Sequence, residues 1–153
     1  MTPTNNIGYL LQHVSSTLSR QSDQALQDRL GIGFSQFKIL MALQWNPGVQ
    51  QKHIADALGQ TEASISRQIK IMHEKGLLVT KVSSNNRREH ITAPTKKGIL
   101  ITEEAMQVLN NYHQPMFDKL NDTQKQQLLE ILTNMHEHTC QPSKPGACHA
   151  LNN

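Results

Sequence analysis

A chain of 153 residues, 37% hydrophobic and 18% charged, suits one compact domain or two small units sharing a core. Its longest uninterrupted apolar run, residues 39–43, is far below the ~20 residues needed to cross a bilayer, and residues 1–6 lack the basic start and apolar stretch of a secretory leader, so a cytoplasmic protein with no membrane partner is expected. The net charge of +3 is concentrated: residues 60–98 hold eight Lys or Arg against three Glu, a footprint that suits a polyanion such as nucleic acid.

Aromatic residues are scarce at 4% while Leu, Ile, Ala, Gln and Lys are plentiful, which favours helices. Over residues 7–30, Ile7, Leu10, Leu11, Val14, Leu18 and Ala25 recur in steps of three, four and seven, predicting a long amphipathic helix that ends at Gly31-Ile32-Gly33. Ser35 is expected to cap a second helix running to Trp45, and Asn46-Pro47-Gly48 stops it. Residues 49–58 read as a short helix with Ile54, Ala55 and Leu58 on one face, followed at once by Gly59. Thr61 can cap the next helix, whose buried side is Ile65, Ile69 and Met72 and whose end is Gly76. Two helices joined by a glycine turn form a helix-turn-helix pattern.

The pattern then becomes extended. Residues 77–82 and 89–93 read as two strands around a polar turn that carries Arg87 and Arg88. Thr95 can cap a further long helix with a kink expected near Pro115, and Asn121 with Gln124 forms a capping-box pattern for a last helix bearing Leu128, Leu132 and Met135. The tail from residue 141 reads as flexible. Only two cysteines occur, Cys140 and Cys148, so no disulfide framework holds the main body.

These motifs resemble the MarR family of bacterial transcription regulators. The resemblance rests on Phe34-Ser35-Gln36-Phe37, on Ile54-Ala55-Asp56-Ala57-Leu58-Gly59, on Ile65-Ser66-Arg67 and on Glu74-Lys75-Gly76-Leu77-Leu78, with Asn86-Arg87-Arg88 and Thr95-Lys96-Lys97-Gly98 completing it. Two positions depart from the family pattern: Asn86 stands where aspartate is usual and Pro94 where leucine is usual. The resemblance implies a mostly α fold with a small β-hairpin wing (α+β), a winged helix-turn-helix flanked by long N- and C-terminal dimerisation helices. The implied division is 1–33 for the first dimerisation helix, 34–98 for the DNA-binding domain, 99–139 for the C-terminal dimerisation helices and 140–153 for the tail. It also implies a homodimer, with Ile7, Leu10, Leu11, Val14, Leu128, Leu132 and Met135 at the interface.

A recognition helix that buries Ile65, Ile69 and Met72 must turn Ala63, Ser64, Ser66, Arg67 and Lys70 outward. Arg67 suits bidentate contact with guanine, the serines can touch bases or phosphates, and Ala63 can meet a thymine methyl group. Gln51, Lys52, Gln60 and Thr61 lie at helix starts, where phosphates are commonly held. In the wing, Arg88 is the candidate for the minor groove, and the family pattern, in which an aspartate orients this arginine, implies that role for Asn86, while Arg87 suits a phosphate. The resemblance implies that the partner is double-stranded DNA carrying a palindromic operator, and that the protein is a repressor. Family resemblance adds a small aromatic effector, with Tyr9, His13, Phe37, Met41 and Trp45 as its candidate pocket.

No catalytic constellation with supporting context and no phosphate-cradling glycine loop is present, so an enzyme is not expected, nor is a cofactor. The alternatives are a thiol- or metal-responsive regulator, or a winged-helix module for protein contacts. The first would use His136, His138, Cys140, Cys148 and His149, whose side chains suit zinc or copper; the cysteines are widely spaced and form no Cys-x-x-Cys, so no metal site is assigned.

Overall fold

The computed structural model describes residues 5–82 and 90–140. In chain order these form α1 (Ile7–Leu30), α2 (Phe34–Trp45), α3 (Gln51–Leu58), α4 (Glu62–Glu74), β1 (Leu78–Val82), β2 (His90–Pro94), α5 (Lys96–Phe117) and α6 (Asp122–Thr139). The architecture is a winged helix-turn-helix with long flanking helices, as the sequence pattern predicts.

Most boundaries follow from single residues. Gly31 and Gly59 end α1 and α3 in the left-handed conformation, at φ 64° and 62°, which glycine adopts without a Cβ clash. Thr61 caps α4 by accepting from the Ser64 amide at 3.2 Å. Asn121 and Gln124 cap α6 reciprocally, each side chain accepting from the other's amide at 2.9 and 3.0 Å. Pro115 lies in the last turn of α5, which continues to Phe117.

Two local expectations are corrected. Ser35 does not cap α2: the N-cap is Gly33, the carboxylate of Asp23 in α1 accepts from the Phe34 amide at 2.8 Å, and Ser35 sits inside the helix. The hairpin also starts one residue later on each strand, because the Leu77 amide closes α4 by donating to Met72 O at 2.9 Å and the Leu77 carbonyl accepts from the Thr95 amide at 3.0 Å. The antiparallel register therefore pairs Leu78 with Pro94 and Thr80 with Thr92. The flexible-tail reading of residues from 141 onward falls outside the described residues.

Helix α2 is the centre of the fold. It buries Gln36, Phe37, Ile39, Leu40, Ala42 and Leu43 against α1, α3, α4, α5 and the hairpin. Leu26, Ile32, Ile54, Ile65, Met72 and Leu77 complete a core that is closed to solvent. At the other extreme, α6 buries no residue at all.

Candidate nucleic-acid interface

The two faces of α4 separate as the periodicity predicts. Ile65, Ile69 and Met72 are buried, while Ala63, Ser66, Arg67 and Lys70 are exposed on the opposite side. Ser64 is half-buried, and its hydroxyl donates to Gln60 Oε1 at 3.2 Å. Gln51 and Lys52 are exposed at the start of α3, and Thr61 is exposed at the start of α4. The side chain of Gln60 is engaged at both ends, since its amide also donates to Ser35 Oγ at 2.9 Å. It therefore ties the turn to α2 and to α4, and its backbone amide is engaged as well, donating to Ala55 O at 2.9 Å. Asn86, Arg87 and Arg88 lie outside the described residues.

A reading helix is useful only if its orientation is fixed, and four polar contacts that periodicity does not reveal fix this one. Buried Gln36 donates its amide to Gln68 Oε1 at 2.9 Å, joining α2 to α4. At the far end of α4, Lys75 Nζ donates to the Gly31 carbonyl at 2.8 Å and Lys97 Nζ to the Lys75 carbonyl at 2.9 Å, so the end of α4 is joined to α1 and α5. The Thr95 hydroxyl donates to Gly76 O at 2.8 Å. Gly98 packs so closely on the hairpin start that a Cβ there would overlap the Leu77 carbonyl oxygen. The first residue after α4 and the first turn of α5 thus form one rigid junction.

The MarR family sequence profile matches residues 30–89, from the end of α1 to the residue before β2. The chain is also 23% identical over 130 residues to a Thauera aromatica protein named as a candidate transcriptional regulatory protein for the hcr operon, a match covering 85% of this chain and 78% of that one. Among solved structures it is similar to CouR from Rhodococcus jostii bound to p-coumaroyl-CoA, with a TM-score of 0.73, 23% identity and coverage of 88% of this chain and 94% of that one. A Mycobacterium tuberculosis MarR family protein in complex with p-aminosalicylic acid matches with a TM-score of 0.73 and 20% identity, over 85% and 98% of the two chains. These structural likenesses establish that the whole fold, outer helices included, is that of MarR-family regulators.

On this frame the outer helices leave a large apolar surface uncovered. Ile7, Leu10, Leu11, Val14, Leu128 and Leu132 are all exposed, Ile7 to 80%, and Met135 is half-buried. Leu11, Val14, Leu128 and Leu132 line a cleft of about 520 Å3 between α1, α5 and α6. At its base Ser22 Oγ and His113 Nε2 lie 3.3 Å apart, joining α1 to α5. Tyr112 and Met116, on α5, and Leu129, on α6, are likewise exposed.

The five candidate effector residues do not converge. Phe37 is a core residue. Tyr9 and His13 stack on each other along α1, with ring centroids 5.7 Å apart, and His13 lines a cleft of about 220 Å3 with Met116 of α5. Met41 and Trp45 line a separate cleft with Lys38, Ala42 and Leu58. Lys38 is the residue sequence reasoning missed. It is half-buried, its ammonium lies 5.0 Å from the centre of the Phe34 ring, and desolvation by burial lowers its pKa below the usual 10.5.

Among the described residues no three His, Cys, Asp or Glu side chains are grouped to hold a metal ion. Cys148 and His149 lie outside them. No helix among the described residues is long and apolar enough to cross a membrane.

Proposed function

We propose that the protein is a DNA-binding transcriptional repressor that works in the cytoplasm as a homodimer on an inverted-repeat operator and releases it on binding a small aromatic effector. The observation that carries this reading is the division of α4 into a buried side and an exposed side bearing Ser66, Arg67 and Lys70, on a helix tied to α2 at its middle through Gln68 and to the end of α1 through Lys75. Arg67 would meet a guanine edge in the major groove, and Arg88, positioned by Asn86, would enter the minor groove. Ala63 and Ser64 would touch the same groove, while Gln51, Lys52, Thr61 and Arg87 would meet phosphates.

The dimer reading is supported by the apolar surface of α1 and α6. A helix with no buried residue gains too little from one chain to hold its apolar side in water, whereas a second copy would cover it. Residues 1–33 and 99–139 would then be the dimerisation segments and 34–98 the reading head. The effector reading draws support from the relatives, of which one was solved with p-coumaroyl-CoA and one with p-aminosalicylic acid.

Selection of bound duplexes from a random pool tests the proposal. Enrichment of an inverted repeat with half-site centres ~10 bp apart is expected from two recognition helices in successive major grooves. Recovery of no common site, or of a single unrepeated half-site, would contradict it.

A further inference from the structure

The hydrogen bonds around Ser64 run in one direction. Gln60 Nε2 donates to Ser35 Oγ at 2.9 Å, which turns the side-chain carbonyl of Gln60 toward α4, and the Ser64 hydroxyl donates to that Oε1 at 3.2 Å. The Ser64 amide is engaged as well, by Thr61 Oγ1. A hydroxyl has one proton and two lone pairs, so a serine whose proton is held by the protein can offer a ligand only lone pairs. Ser66, two positions on, is exposed, and its hydroxyl has no partner among the described residues; it can rotate to donate or accept and so distinguishes poorly between bases. Ser64 is half-buried in the first turn of α4, where a recognition helix meets base edges. The donors that base pairs present in the major groove are exocyclic amino groups, N6 of adenine and N4 of cytosine, whereas guanine and thymine present acceptors.

We infer that Ser64 reads the exocyclic amino group of an adenine or a cytosine, and that Gln60 and Ser35 are positioning residues that hold Ser64 as an acceptor. This deepens the DNA-binding reading above, in which Ser64 meets the major groove, and rests on it. Neither positioning residue has to touch DNA. Both ends of the Gln60 amide and its backbone N–H are engaged within the protein, and Ser35 belongs to α2. Ser64 also precedes Arg67 by three positions, so the two side chains can serve one half-site, Arg67 with donors and Ser64 with an acceptor.

The test is a cycle between protein and DNA on the operator that the parent protein selects. The position read by Ser64 is the one whose base preference changes when the selection is repeated with Ser64→Ala. There the amino group is deleted chemically, with purine in place of adenine or 2-pyrimidinone in place of cytosine. In a separate duplex the N7 of that base pair is removed with the 7-deazapurine. Amino deletion should cost the parent ~3–10-fold more in affinity than it costs Ser64→Ala, the range for one hydrogen bond, and N7 removal should cost the two proteins alike. Gln60→Leu, which offers Ser64 no acceptor, should shrink that excess to below about twofold. Ser35→Ala, which lets the Gln60 amide turn, should shrink it as well. Gln60→Glu should keep it, because a carboxylate still accepts from Ser64. In all three variants the guanine preference at the Arg67 position should survive, which a general distortion of α4 would not allow, and thermal melts check the fold. No position altered by Ser64→Ala, no excess loss on amino deletion, or an excess that Gln60→Leu leaves untouched in a folded protein overturns the assignment and keeps the regulator. A parent protein that selects no operator sinks the DNA-binding reading, and this assignment with it.

Discussion

Replacing Arg67 by alanine should remove DNA affinity and leave the fold alone. Arg67 is exposed, while its neighbours on the other side of α4, Ile65 and Ile69, are buried, so the substitution empties no core space. Alanine is also the better helix former, and a surface change of this kind usually moves stability by less than ~0.5 kcal/mol. A bidentate contact to guanine contributes ~1–3 kcal/mol of discrimination. A homodimer would make that contact twice, at half-sites far enough apart for the two losses to add, giving ~2–6 kcal/mol per operator. Even the lower bound corresponds to a ~30-fold rise in Kd. Fluorescence anisotropy at fixed salt, on the selected operator and on one altered at the contacted guanine, reads both terms. The variant should bind the two duplexes alike, where the parent prefers the first. A loss below about threefold in Kd (under ~0.7 kcal/mol), or a loss that tracks a drop in Tm, would refute Arg67 as a base-reading residue. Ile69→Ala is the converse control, expected to lower stability by ~2–5 kcal/mol through the cavity it leaves.

Gly98→Ala should lower Tm by several degrees, because the new methyl group would force the Leu77 carbonyl aside at a cost of ~1–3 kcal/mol; an unchanged melt would mean the junction of β1 and α5 yields easily. Leu128→Glu combined with Leu132→Glu should give a monomer by light scattering with the far-ultraviolet circular dichroism of a folded chain, since no residue of α6 is fully buried within its own chain; a dimer that persists would refute the interface. Cys140→Ser with Cys148→Ser should leave operator affinity unchanged. Zinc or oxidant altering DNA binding in the parent and not in this double variant would point to a metal or thiol input.

The elements legible in the sequence are those decided by one residue and its near neighbours. Gly31, Gly59, Thr61 and the Asn121–Gln124 pair set helix ends by their own backbone preferences or by bonds across three positions. The α4 faces were equally legible, because a 3.6-residue period fixes which side chains share a side. Contacts between distant segments were not. The cap of α2 comes from Asp23, eleven positions from Phe34, so Ser35 looked suited to a role another helix already fills. Gln36 and Gln68 are 32 positions apart, and nothing in either residue's surroundings marks the pair. The effector candidates fared least well because periodicity says which face a residue occupies and not what lies opposite: Phe37 turned into the core, His13 faces α5, and Met41 and Trp45 share a cleft with Lys38.

A homodimeric regulator of this kind must bind duplex DNA as a pair of subunits through its basic surface. Titration of a labelled inverted-repeat operator across a salt series measures stoichiometry and charge dependence together. Two protomers per duplex, with log K falling linearly as log salt rises and a slope that lessens when Lys70 or Arg67 is removed, is the predicted result. Failure to bind duplex at low salt, or binding of one protomer with a flat salt response, would contradict it.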